Sequence, residues 1–563
     1  MPNLNEVPFS TYGSYISLSK VKNSLFLNSL HGKSKDLKTS LKIKFFQNDT
    51  EIFPKFEHYF DHIKFSGPNF KGIIAFEDTD TLVIEATGDN FAIYIDSLPK
   101  YNFEYSFKML QQRKTFYILN SYKNLTKYQV IPVQAKHELY QNLNVHNNGS
   151  DKESNNISEV HLSPVNQTLQ FRIEEIHHHS LKPNFDHFDI SKIMESNRLD
   201  FHDFNNEVNS CHNNQTTKEA AYILYSSFVK PMDMLHDVAI YASNNNFTSM
   251  YTWDHCFAAL GLISHSSFDV PFNQMVLPYS FQSVEGQLPG SFSDSTIRWN
   301  FSKPPVQPYF IKLLLDKYNY PRNKNIDYEK LGSNLIKQYY FYKNLKSSNQ
   351  KYVYEYLHGN DSGMDNSTVF KNYTPVHTPD LITYQILNLE LLGTLQDKNL
   401  ISTNLAIEEE IEKHLFSLMN YHYKNNEFVS KDLDDNIIES KSILNFLPIL
   451  VHKHLPLEAK NVLISKIKNE YLTHWGITSE ATNSPYFSED SYWRGPIWAP
   501  TTFLIYNGIK EIDEALANEI KNRFIHLIEK SGFYENFNPI NGNGLRGTAF
   551  TWTAGVYLYF KNN

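Results

Sequence analysis

Five stretches in the second half of the sequence combine carboxylates with tryptophan, glycine, proline and amide side chains: YTWDHCF (251–257), GQLPGSFSDSTIRWNFSKPPV (286–306), HGNDSGMDNS (358–367), SEDSYWRGPIW (488–498) and YENFNPINGNGLRGTAFTW (534–552). Flat aromatic faces suit the apolar faces of a sugar ring, and carboxylate, amide and guanidinium groups suit its hydroxyls, so this composition points to a carbohydrate pocket. Hydrolysis of a glycosidic bond needs two carboxyl groups, one protonated to assist the leaving oxygen and one ionised to activate water or attack carbon. The candidates are Asp254, Asp361, Asp365, Glu489, Asp490 and Glu535. Asp365 follows Ser362-Gly363-Met364 and precedes Asn366-Ser367, small and hydrogen-bonding residues that admit a substrate and tune a carboxyl's protonation. Glu535 lies between Tyr534 and Asn536, just past a helix ended by Gly532. Any one of these acids alone is more often an ordinary loop carboxylate than a catalyst. Asp365 and Glu535 are also far apart in sequence, so only a closed fold brings them together.

The elements that must do this fall into two classes. The first ~180 residues read as strands. Leu82, Ile84 and Ala86 share one face, Gly88-Asp89 breaks the run, and Phe91, Ile93 and Ile95 share a face again, as in a hairpin with one side buried. Similar stretches at 115–119, 128–133 and 169–173 predict an antiparallel β-sandwich over residues 1–184, with the polar segment 142–158 as a mobile loop within it. From residue 185 to 563 the period is helical. Ile407, Ile411, Leu415 and Leu418 recur at helical spacing, as do Ile512, Leu516, Ile520, Phe524 and Leu527. Thr378-Pro379-Asp380 carries the signature of a capped helix start, and Gly532 that of a left-handed C-terminal cap. A stretch of this length holds roughly a dozen helices. That number suits a double-ringed α-barrel or a solenoid, and the lack of a fixed repeat weighs against the solenoid.

Composition excludes several classes. With 563 residues and 41% hydrophobic ones, the chain supports more than one sizeable core. Its net charge of −9 is spread without a basic stripe, which argues against nucleic acid. Apolar runs are short of the ~20 residues a membrane span needs, and MPNLNEVPFS lacks the features of a secretory leader, so a cytoplasmic protein without membrane contact is expected. Cys211 and Cys256 are too few for a thiolate zinc site or a disulfide framework. His177, His178 and His179, with His187 nearby, do not share the face that helical zinc ligands require, and neither a calcium loop nor a phosphate-cradling glycine loop is present. No metal or cofactor is expected, and the sequence carries no signal for an oligomeric state.

Six strings, in order, extend this reading: TWDHCF, WNFSKPPV, SGMDNS, TPDLITY, YWRGPIW, and YENFNP followed by GLRGTAFTWTA. They resemble glycoside hydrolase family 63, including its bacterial mannosylglycerate-hydrolase-like and α-glucosidase branches, and more distantly the trehalases. The resemblance covers most of residues 215–560, and PFSTYGSYISLS (8–19) resembles the start of the β-domain of bacterial members. It implies a β-sandwich followed by an (α/α)6 barrel, and hydrolysis with inversion of a small α-linked glucoside or related glycoside. It places the general acid on Asp365 and the general base on Glu535. It also implies Trp253 as a sugar platform, Asp254 on sugar hydroxyls, and Trp493 with Arg494 as a sugar-contacting pair, Arg494 being a candidate ion-pair partner of Glu535. By resemblance alone, Gly363 joins the pocket and Gln287, Trp299 and Lys303 border it. One departure stands out. Where many relatives have a glutamate before the SGMDNS string and Pro-Arg after it, this chain has Asp361 before and Thr368-Val369 after. That difference falls on the outer subsite and leaves a second assignment, with Asp361 as acid and Asp365 orienting sugar hydroxyls. The rival readings are a sugar isomerase or epimerase on the same barrel, which would draw on His255 or His358, and a non-catalytic carbohydrate-binding protein. An acid and a base working as a pair predict a bell-shaped dependence of turnover on pH, measured as steady-state hydrolysis across the acid-to-alkaline range; a sigmoid with one limb would remove one partner.

Overall fold

The computed structural model describes residues 2–32, 39–122, 124–143, 156–176, 182–209, 213–264, 267–322, 326–347 and 352–563. His177, His178, His179, Cys211 and most of segment 142–158 lie outside the described residues.

Between Ile16 and Ile176 the described chain forms two antiparallel sheets. The smaller runs Ile16–Val21, Ser24–Ser29, Thr39–Gln47, Phe91–Asp96, Ile157–Ser163, Lys136–Asn142, with Thr50–Ile52 paired to Thr39–Gln47. The larger runs Phe107–Gln111, Lys114–Ser121, Thr126–Gln134, Thr168–Ile176, Thr81–Gly88, Phe70–Phe76, Ile63–Ser66, Lys55–His58. Aromatic pairs link the sheets: Phe45 to Phe65 at 5.1 Å and Phe91 to Phe70 at 4.8 Å between ring centroids.

The hairpin expected around Gly88 does not form. Thr81–Gly88 pairs with Thr168–Ile176 and Phe70–Phe76 in the larger sheet, whereas Phe91–Asp96 pairs with Thr39–Gln47 and Ile157–Ser163 in the smaller. Gly88 (φ 152°) and Asn90 (φ 51°) carry the chain from one sheet to the other. Both strands turn their alternate apolar residues into the same inter-sheet core, so a hairpin and a crossover leave the same pattern. Val83 is buried on the opposite face, where it and Ala75 pack on Phe188 and Ile190. Arg172 fastens that covering segment: it makes two bonds to the Glu77 carboxylate at 2.6 and 2.7 Å and donates to the carbonyls of Asn184 at 3.1 Å and Asp186 at 2.7 Å. The compact unit built on the sheets therefore comprises Met1–Asn206 and Ala221–Thr248, beyond a division by element type at residue 184.

The second unit comprises Glu207–Ala220 and Ser249–Asn563 and is helical. Its inner helices are buried nearly all round: every residue of Ala499–Ile509 is buried, as are most residues of Pro379–Asp397 and Thr551–Asn562. With Asp254–Leu260, Gln307–Lys317 and the 3₁₀ segment Ile443–His454 they form a ring around aromatic contacts such as Phe257 to Phe310 at 4.9 Å and Phe310 to Phe503 at 5.6 Å. The outer helices, among them Ile407–Ser417, Leu457–Lys466 and Glu514–Ser531, bury one stripe only. This is an (α/α)6 barrel following a β-sandwich in the chain. Local signals hold with two adjustments. Thr378 occupies the N-cap position but its hydroxyl makes no capping bond, and Gly532 has φ 84° with ψ −160° instead of the left-handed helical cap, its N–H still reaching the Ile528 carbonyl at 2.8 Å. Among the described residues no helix is long and apolar enough to cross a membrane.

Closure of the inner ring depends on a close approach at Gly555, where an added Cβ would overlap the carbonyl oxygen of Phe257 on the neighbouring helix. Gly555→Ala is expected to destabilise the barrel by about 1–3 kcal/mol through overpacking, read as a lower denaturation midpoint.

Candidate active site

Each site residue is presented by a turn that an inner helix or a short sheet holds in place. Strand Met250–Tyr251 pairs with Ser291–Phe292 and leads directly into helix Asp254–Leu260, so Trp253 stands at the helix N-cap and Asp254 in its first turn. The Trp253 indole meets Phe257, Trp493 and Trp552 at centroid separations of 5.3, 6.2 and 6.4 Å. Trp493 in turn stacks on Trp498 at 3.8 Å with 7° between planes, and Trp253 and Trp493 are nearly closed to solvent, at 2% and 1% exposure. Gly363 follows the 3₁₀ turn Gly359–Ser362 with φ 70°, and a Cβ there would sit 2.5 Å from the Trp253 indole, so its bare backbone is what lets the loop lie on the ring.

Asp365, two residues on, is half-exposed and lies 3.8 Å from the Lys303 ammonium. Lys303 also donates to the carbonyl and side-chain oxygens of Asn360 at 2.7 and 2.6 Å, which anchors the loop that carries Asp365. Glu535 arrives from the other direction. It belongs to strand Tyr534–Phe537, whose pairing with Gly544–Thr548 shifts register between Tyr534 and Asn536, a bulge that turns the Glu535 side chain inward. Buried to 4% exposure, its carboxylate accepts from the Tyr492 hydroxyl at 3.1 Å (Oε1) and from the Gly547 N–H at 3.3 Å (Oε2), while its carbonyl accepts from the Trp552 indole at 3.2 Å.

The charges of these groups interact. Burial pushes the Glu535 carboxyl above its ordinary range; the Gly547 N–H, the Tyr492 hydroxyl and the Arg546 charge pull it back, and the Asp365 charge pushes it further up. Burial raises Asp254 to about 7, with Lys303 opposing and Glu535 and Asp365 adding to the rise. Burial also lifts Tyr251 to about 12, and the same three carboxylates act on it. Asp254, Asp365 and Glu535, widely spaced in sequence, thus form one electrostatic cluster.

The remaining expected residues divide. Gln287, Trp299 and Asp361 line a cavity of about 460 Å³, together with Lys346, His358 and Asn360. Asn360, through Lys303, links that cavity to Asp365. Asp361 is buried and its Oδ1 accepts from the Ser302 N–H at 2.9 Å. Arg494 does not meet Glu535: its Nε donates to the Asn366 carbonyl at 2.6 Å and its charge acts on Glu480. The expected Arg494–Glu535 ion pair is therefore absent among the described residues, because the loop turns Arg494 toward the segment after Asp365. A cation whose charge does act on Glu535 is Arg546. Glu489 and Asp490 are exposed, Asp490 pairing with Arg546 at 2.8 Å. His255 is buried, held by the Tyr251 carbonyl at 3.0 Å and pushed down to about 4 by burial. Among the described residues no group of three or more His, Cys, Asp or Glu is placed to hold a metal ion.

Tyr492, Arg546 and Gly547 escaped the sequence reading although they lie in strings already singled out. The missed signal was the NPINGNG turn. It predicts a hairpin, and a hairpin places Arg546 and Gly547 across from Glu535.

Residues 248–553 match the family described as the mannosylglycerate hydrolase MGH1-like glycoside hydrolase domain. The chain is similar to the mannosylglycerate hydrolase of Thermus thermophilus, 35% identical over 78 residues, 14% of this chain and 19% of that one. It is also similar to the mannosyl-oligosaccharide glucosidase of Saccharomyces cerevisiae, 28% identical over 180 residues, 26% of this chain and 21% of that one. These similarities span about a fifth of each relative's own length. In fold, the chain is similar to the solved structure of a GH63 mannosylglycerate hydrolase from Thermus thermophilus in complex with Tris and D-glycerate, with a TM-score of 0.55 at 17% identity, over 61% of this chain and 99% of that one.

The contact between Gly363 and Trp253 yields a test. Gly363→Ala forces a left-handed alanine at a cost of about 1–2 kcal/mol and a clash with the indole; the expected outcome is a lowered melting temperature with altered tryptophan fluorescence, and an unchanged emission spectrum would show that the indole does not depend on this contact.

Proposed function

We propose, from the premise that the chain belongs to the mannosylglycerate hydrolase MGH1-like glycoside hydrolase family, that it is an inverting α-glycosidase acting on a small α-linked glucoside or related glycoside. The observation that carries this reading is the pairing of a half-exposed carboxyl, Asp365, with a buried and doubly hydrogen-bonded one, Glu535, in a single charge cluster. Inversion needs a water between base and sugar, and the carboxyls of such pairs stand roughly 6.5–9.5 Å apart.

In the proposed mechanism Asp365 gives its proton to the glycosidic oxygen as the bond from that oxygen to the anomeric carbon breaks. Glu535 takes a proton from a water whose oxygen forms the new bond on the opposite face. Asp365 is left ionised and Glu535 protonated, and exchange with solvent restores both. The base must be ionised to begin, which burial opposes; the Tyr492 hydroxyl, the Gly547 N–H and the Arg546 charge supply the compensation. Lys303 beside Asp365 stabilises the carboxylate that proton donation leaves behind. Asp254, backed by the Trp253 indole, holds hydroxyls of the sugar being cleaved. Asp365 suits the acid better than Asp361 does, because Asp361 is buried and engaged by the Ser302 N–H. The cavity of about 460 Å³ with Gln287 and Trp299 receives the leaving group.

This reading includes α-glucosidase and mannosyl- or glucosylglycerate hydrolase activities. The isomerase alternative gains nothing from His255, which is neutral and bonded to backbone. Glu535→Gln keeps the shape of the base and removes its proton affinity. Turnover on the best substrate from a panel of α-linked disaccharides and glycosyl-glycerates is expected to fall by about 10²–10⁴-fold with circular dichroism unchanged, and proton NMR of the wild-type digest to show the β-anomer first. Near-normal hydrolysis by the variant would overturn the assignment of the base, and a first-formed α-anomer the inverting mechanism.

A further inference from the structure

Two non-glycine residues with left-handed backbone, on two separate segments, meet behind Glu535. Tyr492 has φ 58° and Arg546 has φ 65°. Such positions are unfavourable for a side chain with a Cβ and persist where the surroundings over-determine them. Here the determinants are explicit. The Arg546 guanidinium lies over the Tyr492 ring, 5.1 Å from its centroid. One arm of its fork donates to the Asn536 side-chain oxygen at 3.0 Å, and the other to the Asp490 carbonyl at 3.2 Å and carboxylate at 2.8 Å. Tyr492 is also held edge-on by Trp498 at 4.9 Å, whose indole N–H binds the Tyr492 carbonyl at 3.0 Å. A ring held between a guanidinium and an indole has little freedom left, and its hydroxyl points to Oε1 of Glu535.

We propose that Arg546 is a positioning residue for the hydrolysis: by clamping the Tyr492 ring it fixes the plane of the Glu535 carboxylate. This rests on the reading of Glu535 as the base. Arg546 makes no direct hydrogen bond to Glu535, so its effect passes through Tyr492 and through space. With Tyr492 on Oε1 and the Gly547 N–H on Oε2, the carboxylate cannot swing, and a lone pair remains to receive the water's proton. The groups facing Glu535 are Tyr492 from the 488–498 loop, Arg546 from strand Gly544–Thr548, Asp365 from the loop after Gly359–Ser362, and Asp254 and Tyr251 from the helix start, with Lys303 beside Asp254 and Asp365. Arg546 and the Tyr492 hydroxyl favour the ionised base, whereas the neighbouring carboxylates oppose it.

The sign of the pH effect follows. Activity fails on the acid side when Glu535 takes up a proton, so losing a group that favours the ionised form moves that limb to higher pH. For Arg546→Gln, kcat should fall about 10- to 100-fold with KM nearly unchanged, and the acid limb of the kcat profile should move up. Tyr492→Phe should do the same, and the double variant should lose less than the product of the two single losses. Arg546→Lys restores the charge without the planar face, so its acid limb should return toward wild type while kcat recovers only in part.

A purely structural Arg546 would lower the melting temperature without moving the acid limb; that result overturns the inference. If Arg546→Gln does not fold, Arg546→Lys and Tyr492→Phe decide the matter, an unmoved acid limb in Tyr492→Phe being negative. Glu535→Gln in the same assay separates the two levels. An inactive Glu535→Gln with unshifted Tyr492 and Arg546 variants sinks the positioning role alone, whereas an active Glu535→Gln sinks both.

Discussion

A carboxylate that accepts a proton from water must be shielded from bulk solvent and yet ionised, and these demands conflict. Desolvation favours the neutral acid, so burial pushes the Glu535 carboxyl above its ordinary range. Two hydrogen bonds and a nearby guanidinium oppose that tendency, and they come from two places: Tyr492 from the loop before helix Ala499–Ile509, Gly547 and Arg546 from the strand that pairs with Glu535's own. Much of the local architecture serves this balance. The bulge between Tyr534 and Asn536 aims the carboxylate inward, the Trp552 indole binds its carbonyl, and the stack of Trp493 on Trp498 holds the loop that delivers Tyr492.

The same trade recurs around the cavity with other outcomes. Asp254 is buried in the first helical turn, and the neighbouring carboxylates add to the effect of burial until Lys303 offsets part of it. Asp365 stays open to solvent at the end of a turn, near the same lysine. Carboxyl groups of similar intrinsic acidity are therefore distinguished by exposure and partners, which is the physical basis for giving them different tasks. Lys303 ties the arrangement together, since it bonds Asn360, approaches Asp365 and acts on Asp254.

Most tryptophan rings in the barrel pack on one another. Trp253, Trp493, Trp498 and Trp552 contact one another and are nearly closed to solvent, whereas Trp299, 42% exposed, lines the adjoining cavity. The composition of their loops pointed to a carbohydrate pocket, and resemblance gave Trp253 the part of a sugar platform. An indole buried against other indoles fixes loop geometry, and Gly363 is the complementary piece, a residue without a side chain pressed against Trp253.

What the sequence determined was local and periodic. Alternation in 82–95 marked strands, helical spacing in 407–418 marked an amphipathic helix, and the sugar-like composition of the loops, with the order of six strings, led to Asp365 and Glu535. Burial patterns are written into the chain because each residue responds to the polarity of its own surroundings. Tertiary structure decided whatever depends on which face meets which. It sent Phe91–Asp96 to the opposite sheet from Thr81–Gly88, since alternation records burial but not the partner strand. It turned Arg494 to a backbone carbonyl and brought the Arg546 charge to bear on Glu535, since a guanidinium's charge is visible in sequence and its direction is not. Coulombic and hydrogen-bond effects fall off over a few ångströms, so the protonation of Glu535 and Asp254 belongs to the assembled cavity and to no segment of the chain by itself.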